Sequence, residues 1–203
     1  LFYPNQYIID HTCECCRLDT AINQANLPVI VWRHIFEGGI RDHAVMTFKD
    51  WNTPGAINHL GHENWDIDAC PHHGPALSIS ESNAYHAVWF SNSSTKQGLF
   101  YAYSSDAGKS FSEPVNFGNP GATHPHVLAL GKRVGIVWQE FDGKKNVVQF
   151  MQSHDAGKTW TKPTSAAQTA DMLDEPFLVS DGQDLYLSWH APQQGYQLTL
   201  LNR

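Results

Sequence analysis

The chain lacks both a long apolar run and a block of basic residues. No stretch of about 18 consecutive apolar residues occurs, so we expect no helix that spans a membrane. Lys and Arg together number 13 against 20 Asp and Glu, which argues against a nucleic-acid partner. The net charge of −7 also gives an anionic glycan no long-range attraction. A basic segment is missing at the start, so we expect that any signal peptide was removed or not included.

Two eight-residue segments, 104–111 and 153–160, are near copies that fit the pattern S-x-D-x-G-x-[ST]-[WF]. The pattern resembles the Asp-box, or BNR repeat, of sialidase-like β-propellers. The resemblance implies a structural hairpin on the outer rim, in which the Asp accepts backbone N–H bonds, the Gly has a positive φ and the aromatic ring is buried. The fixed positions are Ser104, Asp106, Gly108, Phe111, Ser153, Asp155, Gly157 and Trp160.

Other features recur at a similar interval of about 50 residues, as expected of a repeat protein. A hydrophobic or Ser residue followed by Trp occurs four times, at Val31-Trp32, Val88-Trp89, Val137-Trp138 and Ser188-Trp189. In three repeats this pair is preceded by Pro and apolar residues, at Pro75, Pro125 and Pro176. Each repeat therefore predicts three or four short strands separated by turns, which is one blade of a propeller.

The two ends of the chain predict how the ring closes. The last repeat stops before its outermost strand, and the first residues resume at that place, with Pro4 at the matching position. We therefore expect the segment from Leu1 to about Ile9 to pair with the strand that contains Leu198 and Leu200, which removes a free sheet edge. The prediction is an all-β, four-bladed propeller of four-stranded antiparallel sheets, a single domain over residues 1–203. The alternative is a fragment of a six-bladed sialidase-like propeller.

Four cysteines fall in two short segments that directly precede the first strands of blades one and two. Cys13, Cys15 and Cys16 form a C-x-C-C-R segment, and Cys70 opens a C-P-x-x-G-P segment. Both segments are similar to ones in bacterial sialidase-like proteins, a resemblance that implies no settled activity. An even cysteine count in an exported protein predicts a disulfide framework, with three possible connectivities. We expect Cys70 to lie near at least one of the other three.

A metal site is the alternative interpretation of the same segments, because histidines lie close to them in the sequence. The chain has 12 His, and several of them precede the predicted inner strands. Imidazole and thiolate ligands together suit copper or zinc. The candidate ligands are Cys13, Cys16, Cys70, His72, His73, His124 and His126. We expect one disulfide and one His-rich site, and both interpretations remain open at this point.

An enzymatic function is less well supported than a binding function. Sialidases that this fold resembles hold the substrate carboxylate with three arginines from different blades, and use a Tyr nucleophile with acidic partners. Here Arg17, Arg33 and Arg41 all belong to the first repeat, and the F/Y-R-I-P segment typical of sialidases is missing. The weak catalytic candidates are therefore Arg17, Arg41 and Asp42. The family resemblance keeps a glycan-binding module or an exo-sialidase-like hydrolase as the alternative function.

The long connection from residue 55 to residue 73 has room to cap the channel. Long loops on a rigid scaffold often carry function, and Trp65 could either stack on a sugar or anchor the loop. We therefore predict a periplasmic or extracellular binding protein with a His- and Cys-rich site at the channel mouth. Its ligand is predicted to be a transition metal or a carbohydrate, and the sequence specifies no protein partner.

Overall fold

The computed structural model describes residues 5–201, which form four antiparallel sheets arranged as the blades of a propeller. The predicted four-bladed, all-β propeller is therefore confirmed. Within the described range, helical structure is confined to a short 3₁₀ turn at Glu37–Gly39. Consistent with this, none of the helical structure in residues 5–201 has the length and apolar character needed to cross a membrane.

Each blade is an antiparallel meander in which successive strands are ordered from the centre of the propeller to its rim. The strands of blades one and two are β1 (Asp19–Ile22), β2 (Pro28–Arg33), β3 (His43–Thr47), β4 (Asn58–His59), β5 (Ala76–Ile79), β6 (Tyr85–Asn92), β7 (Gln97–Ser104) and β8 (Val115–Phe117). Those of blades three and four are β9 (Thr123–Leu130), β10 (Arg133–Phe141), β11 (Asn146–Ser153), β12 (Thr164–Thr169), β13 (Phe177–Ser180), β14 (Leu185–Ala191) and β15 (Gly195–Leu200).

The recurrent Trp pairs lie in the second strand of each blade, where the core between neighbouring blades is formed. Trp89 and Trp138 are fully buried, and Trp189 is 7% exposed. Because alternate residues of these strands point to opposite faces, one strand supplies apolar side chains to two inter-blade cores. Val88 thus packs between blades two and three, whereas Trp89 packs between blades one and two. This arrangement explains why the apolar pair, and not a single residue, recurs.

The segment expected to close the ring is only partly described. Residues 1–4 lie outside the described range, so the predicted pairing of Leu1 to Pro4 is not tested. Residues 5–9 form no strand; Ile8 and Ile9 pack against the core of blade one instead. Within residues 5–201, β15 pairs only with β14, and its Leu198 and Leu200 are 54% and 55% exposed. Residues 5–9 therefore contact the first blade and do not pair with β15 of the last blade.

Both repeated hairpins connect the third and fourth strands of their blades, on the outer rim. The Asp106 carboxylate accepts hydrogen bonds from the backbone N–H groups of Lys109 and Ser110, at 3.1 and 2.9 Å. Asp155 makes the equivalent bonds at 3.1 and 2.8 Å. Hydrogen bonds from Ser110 and the backbone lower the pKa of Asp106 to about 2. In both hairpins the carboxylate therefore accepts backbone N–H bonds within the turn.

The glycines of the hairpins also behave as predicted, but the aromatic residues do not. Gly108 and Gly157 have φ values of 80° and 84°, and a Cβ at Gly157 would overlap the Tyr101 hydroxyl. Phe111 and Trp160, expected to be buried, are only half-buried. Trp160 packs edge-on against Tyr101, with ring centroids 4.8 Å apart. The prediction of burial was wrong because the rim leaves part of each ring in contact with solvent.

Replacing Asp155 with Ala is expected to lower the midpoint of thermal unfolding without changing ligand affinity. The substitution removes the acceptor for two backbone N–H groups and for the Thr159 hydroxyl, all on the rim. Asp155→Asn, which keeps one acceptor oxygen, should lose less. Thermal unfolding followed by circular dichroism checks the order of the three proteins. A well-folded Asp155→Ala protein that has lost its ligand binding would contradict a purely structural role.

Candidate functional site

The innermost strands of the blades, β1, β5, β9 and β13, follow one another around the central axis. Since every blade repeats the same strand order, the residues at the start of these strands meet at one end of the axis. We call this cluster the channel mouth and define it by Arg17, His73, His124, Glu175 and Phe177. Its side chains come from all four blades, as required of a site that surrounds a ligand.

Hydrogen bonds between neighbouring inner strands fix the geometry below the mouth. An Asp19 carboxylate oxygen accepts the backbone N–H of Leu77 at 2.8 Å, joining blade one to blade two. The Ser78 hydroxyl accepts the backbone N–H of Ala129 at 2.9 Å, joining blade two to blade three. Burial raises the pKa of Asp19 from its ordinary value. Asp19 and Ser78 therefore stabilise the contacts between neighbouring blades.

His126, a predicted metal ligand, performs the same task between blades three and four. Its Nδ1 accepts the backbone N–H of Leu178 at 3.1 Å, which requires the neutral ring with the proton on Nε2. Burial, with a smaller contribution from the Arg17 charge, lowers the pKa of His126 to about 3. One ring nitrogen of His126 is thus already used in the fold.

An ion pair at the mouth joins the first blade to the fourth. Arg17 Nη1 donates to Glu175 Oε2, and the two side chains are 29% and 34% exposed. The Arg17 guanidinium also lies 5.0 Å from the centre of the Phe177 ring, a cation–π distance. His124 Nε2 lies 3.8 Å from the other carboxylate oxygen of Glu175. Charged, aromatic and imidazole groups are therefore grouped within reach of one small ligand.

The two histidines of the mouth, His73 and His124, face each other. The rings of His73 and His124 lie 4.9 Å apart, centre to centre. Burial, followed by the nearby His124 and Arg33, lowers the pKa of His73 to about 4, so that its ring is neutral at pH 7. Nδ1 of His73 is buried and has no hydrogen-bond partner among the described residues. His72, also a predicted ligand, is exposed beside them.

The cysteines form a separate cluster, which we call the four-cysteine cluster: Cys13, Cys15, Cys16 and Cys70. Two disulfides are present, Cys13–Cys16 and Cys15–Cys70, so the expectation of one disulfide was wrong. The expectation that Cys70 lies near the others is confirmed. All four Sγ atoms lie within 4.8 Å of one another. Among residues 5–201, no other group of three or more His, Cys, Asp or Glu is so compact, and the histidines of the mouth are not part of it.

The weak catalytic candidates Arg41 and Asp42 hold the long connection in place. The Asp42 carboxylate accepts the backbone N–H groups of Asn64 and Trp65, at 2.8 and 3.1 Å, and Asp42 is only 2% exposed. Arg41 Nε donates to the carbonyl of Ile67 at 2.9 Å. Both side chains therefore make structural contacts with the connection over residues 55–73.

Arg33, which the sequence did not single out, lies at the centre of this region. It is 1% exposed, and its guanidinium donates to the carbonyls of Arg41, His73 and Phe90, at 2.7, 3.1 and 2.9 Å. The guanidinium also lies 4.8 Å from the centre of the Trp65 ring. Trp65 is buried and thus anchors the connection, the second of its two predicted roles.

Glu63 is a second buried charge that sequence reasoning missed. It is 1% exposed, and neither carboxyl oxygen has a hydrogen-bond partner among the described residues. Burial, followed by repulsion from Asp42, raises the pKa of Glu63 to about 7. No spacing or motif could have revealed this carboxyl, because its burial depends on how the connection folds back over blade one.

A cavity of about 490 Å³ lies away from the mouth, between β4 and the box hairpin of blade two. Its lining includes His59, His62, Lys96 and Lys109 but no residue of the channel mouth. The lining of this cavity comes from blades one and two, whereas all four blades contribute side chains to the mouth. We therefore assign the candidate site to the mouth and not to this cavity.

Comparison with known proteins supports the fold. No protein-family profile matches the chain, and no match is found among curated proteins. Among solved structures, a Hadza microbial sialidase is 17% identical with a TM-score of 0.60, and the match covers 91% of this chain and 45% of the sialidase. A Penicillium chrysogenum α-L-arabinanase bound to arabinobiose is 13% identical with a TM-score of 0.61, covering 97% and 63%. A Fusarium graminearum α-L-arabinofuranosidase bound to an iminosugar is 13% identical with a TM-score of 0.63, covering 91% and 60%.

These matches establish a common architecture and nothing more specific. The chain spans between 45% and 63% of the length of the three proteins. At such low identity no residue role passes from one protein to the other. The chain therefore shares its β-propeller fold with a sialidase, an arabinanase and an arabinofuranosidase.

Proposed function

We propose that the protein binds a carbohydrate at the channel mouth. The observation that carries the proposal is the partly exposed Arg17–Glu175 pair set against Phe177, with His124 and the neutral ring of His73 beside it. Sugars present alternating hydroxyl groups and apolar C–H faces. An ion pair that donates and accepts, next to an aromatic ring, offers partners for both. The propeller neighbours that act on sugars or bind them add support for this ligand class.

Binding is a better match to these side chains than hydrolysis. Most glycosidases place two carboxyl groups on either side of the scissile bond, one as an acid and one as a base or nucleophile. At the mouth Glu175 is neutralised by Arg17, and Asp19 accepts the backbone N–H groups of Leu77 and Thr20. Neither carboxylate is placed as an independent catalytic group, so the proposal is a binding protein.

Replacing Arg17 with Met is expected to weaken sugar binding by about 10-fold or more, the equivalent of one charge-assisted hydrogen bond. Glu175→Gln should weaken it as well. Both variants should fold, because partly exposed ion pairs contribute only about 0–1 kcal/mol to stability. Isothermal titration with arabinobiose and with a sialylated oligosaccharide measures the affinities. Lys144→Met, on the exposed β10–β11 hairpin, is the control, and equal affinity in all four proteins would exclude the mouth.

We include a periplasmic or extracellular location in the proposal. The two disulfides support it, since disulfides persist in oxidising compartments and are rare in the cytosol. Fractionation of the source cells, followed by immunodetection, tests the location. Recovery of the protein only in the cytosolic fraction would contradict it.

A transition metal, copper or zinc, is the second candidate ligand. The compactness of the four-cysteine cluster favours it, because soft thiolate ligands suit both metals and reduction of the two disulfides would supply four of them. The sequence predicted a ligand set that combined Cys13, Cys16 and Cys70 with histidines. The compact group contains the four cysteines and no histidine, so we propose sulfur ligands only. Elemental analysis of protein purified under reducing conditions without chelator is the test. One metal ion per chain would support this candidate, and a metal-free protein would remove it.

A further inference from the structure

We propose that the four-cysteine cluster is a metal site controlled by thiol oxidation. With both disulfides formed, the cluster has no thiolate to bind a metal ion. After reduction by a dithiol it presents four thiolates to one zinc or copper(I) ion. The inference builds on the metal candidate above and adds that oxidation controls it. It does not depend on carbohydrate binding at the channel mouth.

The arrangement of the sulfur atoms carries the proposal. Two independent disulfides require only that each sulfur meets its own partner. Here all four Sγ atoms lie within 4.8 Å of one another, and Cys13 Sγ lies 3.6 Å from Cys70 Sγ although these two are not bonded. A tetrahedral zinc site with Zn–S bonds of about 2.3 Å has sulfur atoms about 3.8 Å apart. The cluster therefore already has the size of such a site.

The backbone holds the sulfur atoms from two directions. Cys13 and Cys16 belong to one turn, in which the Cys16 N–H donates to the Cys13 carbonyl at 3.3 Å. The Cys13 N–H donates to the carbonyl of Arg33 at 2.9 Å, so the turn is fixed to β2. Cys70 approaches from the long connection, which Arg33 also binds through His73. Breaking the disulfides should thus leave the four side chains near one another.

The cluster is accessible to a reductant and to an ion. Cys13 is buried, whereas Cys16 and Cys70 are half-buried and Cys15 is exposed. A cavity of about 300 Å³ lies against Cys70 and is lined by Glu14, Arg41 and Asp68 among others. The two carboxylates can attract an arriving cation. Arg41 can offset the negative charge that four thiolates leave around a divalent ion.

Reduction of the two disulfides requires one class of co-reactant, a dithiol. Each disulfide takes two electrons and two protons from one dithiol molecule, which is released as its own cyclic disulfide. Two dithiol molecules therefore yield four thiols. Binding of one divalent ion then releases four protons, one from each thiol, and forms four metal–sulfur bonds.

Cobalt(II) titration of the reduced protein is the test. The protein is reduced, freed of reductant without oxygen, and titrated with Co²⁺, whose absorption reports tetrahedral thiolate ligands. We expect saturation at one equivalent, displacement by Zn²⁺, and no signal from the oxidised protein. Cys15→Ser and Cys70→Ser should each weaken the thiolate-to-metal band and the affinity for Co²⁺, because one of the four thiolates is lost, whereas His72→Ala and His124→Ala, the matched controls, should leave both unchanged.

Several outcomes would overturn the proposal. The first is a reduced protein that keeps its circular dichroism spectrum yet binds no Co²⁺. The others are a band whose intensity is unchanged by loss of Cys70, or a band that disappears in His124→Ala. If reduction alone unfolds the chain, recovery of the spectrum on adding Zn²⁺ supports the site, and failure to recover overturns it.

Discussion

The protein is expected to lose about 3 kcal/mol of unfolding free energy when the pH falls from 6.5 to 5. Burial lowers the pKa values of His73 and His86 to about 4, and that of His126 to about 3. Unfolded histidine titrates near its ordinary value of about 6.5. Between these values the unfolded chain binds more protons, so stability is fully present above pH 6.5 and is lost as the pH falls toward the folded pKa values. Since an unfolded histidine is half protonated at pH 6.5, each buried histidine contributes about 1.6 kcal/mol over this interval, and the more exposed His73 contributes less.

Glu63 opposes this change. Its folded pKa of about 7 lies above the ordinary value, so its contribution is present below that ordinary value and is lost as the pH rises through 7. Over the same interval Glu63 offsets about one of the three histidines, which leaves a net loss of about 3 kcal/mol from these four groups. Burial also lowers the pKa of His43, which adds to the loss.

Urea unfolding at pH 6.5 and pH 5 measures the loss. His126→Gln, which keeps a hydrogen-bond acceptor but does not titrate, should reduce the difference between the two pH values by about 1.6 kcal/mol. His190→Gln, at an exposed position, is the matched control and should leave the difference as in the unchanged protein. Equal stability at both pH values would show that the buried histidines do not control acid unfolding.

The blades could be predicted from the sequence because their signals are local. A Val-Trp pair, a preceding Pro and a box hairpin each report on neighbouring strands, and their spacing repeats. The hairpin chemistry of Asp106 and Asp155 followed for the same reason, since its hydrogen bonds stay within a few residues. The half-burial of Phe111 and Trp160 did not follow, because it depends on how much of the rim the next blade covers.

The site was less accessible to sequence reasoning because its contacts join distant segments. Arg33 binds carbonyls of three separate segments, and no local pattern distinguishes it from the other arginines of blade one. His126 was expected at the mouth as a ligand, but one of its nitrogens holds the next blade. The gathering of His73 and His124 with Arg17 and Glu175 was predicted only in part, since Glu175 carries no motif of its own.

Loss of the Cys15–Cys70 disulfide is expected to cost about 4 kcal/mol, more than twice the effect of losing Cys13–Cys16. The two cysteines of the first disulfide are separated by 55 positions in the sequence and those of the second by 3. A longer closed loop removes more conformational freedom from the unfolded chain, which predicts about 4 kcal/mol for the first and roughly 1.6 kcal/mol for the second. The Cys15–Cys70 bond also ties the long connection to blade one.

Two double variants separate the disulfides: Cys15→Ala with Cys70→Ala, and Cys13→Ala with Cys16→Ala as the matched control. Urea unfolding of each, compared with the unchanged protein, measures the two free-energy losses. Thiol titration of the native, unreduced protein should find no free thiols, and each double variant should retain one intact disulfide. Because Cys13 is buried, its replacement also removes packing, which can only raise the cost in the control. A larger loss for Cys15–Cys70 despite this bias would establish that loop closure across the first two blades stabilises the propeller, whereas equal losses would contradict it.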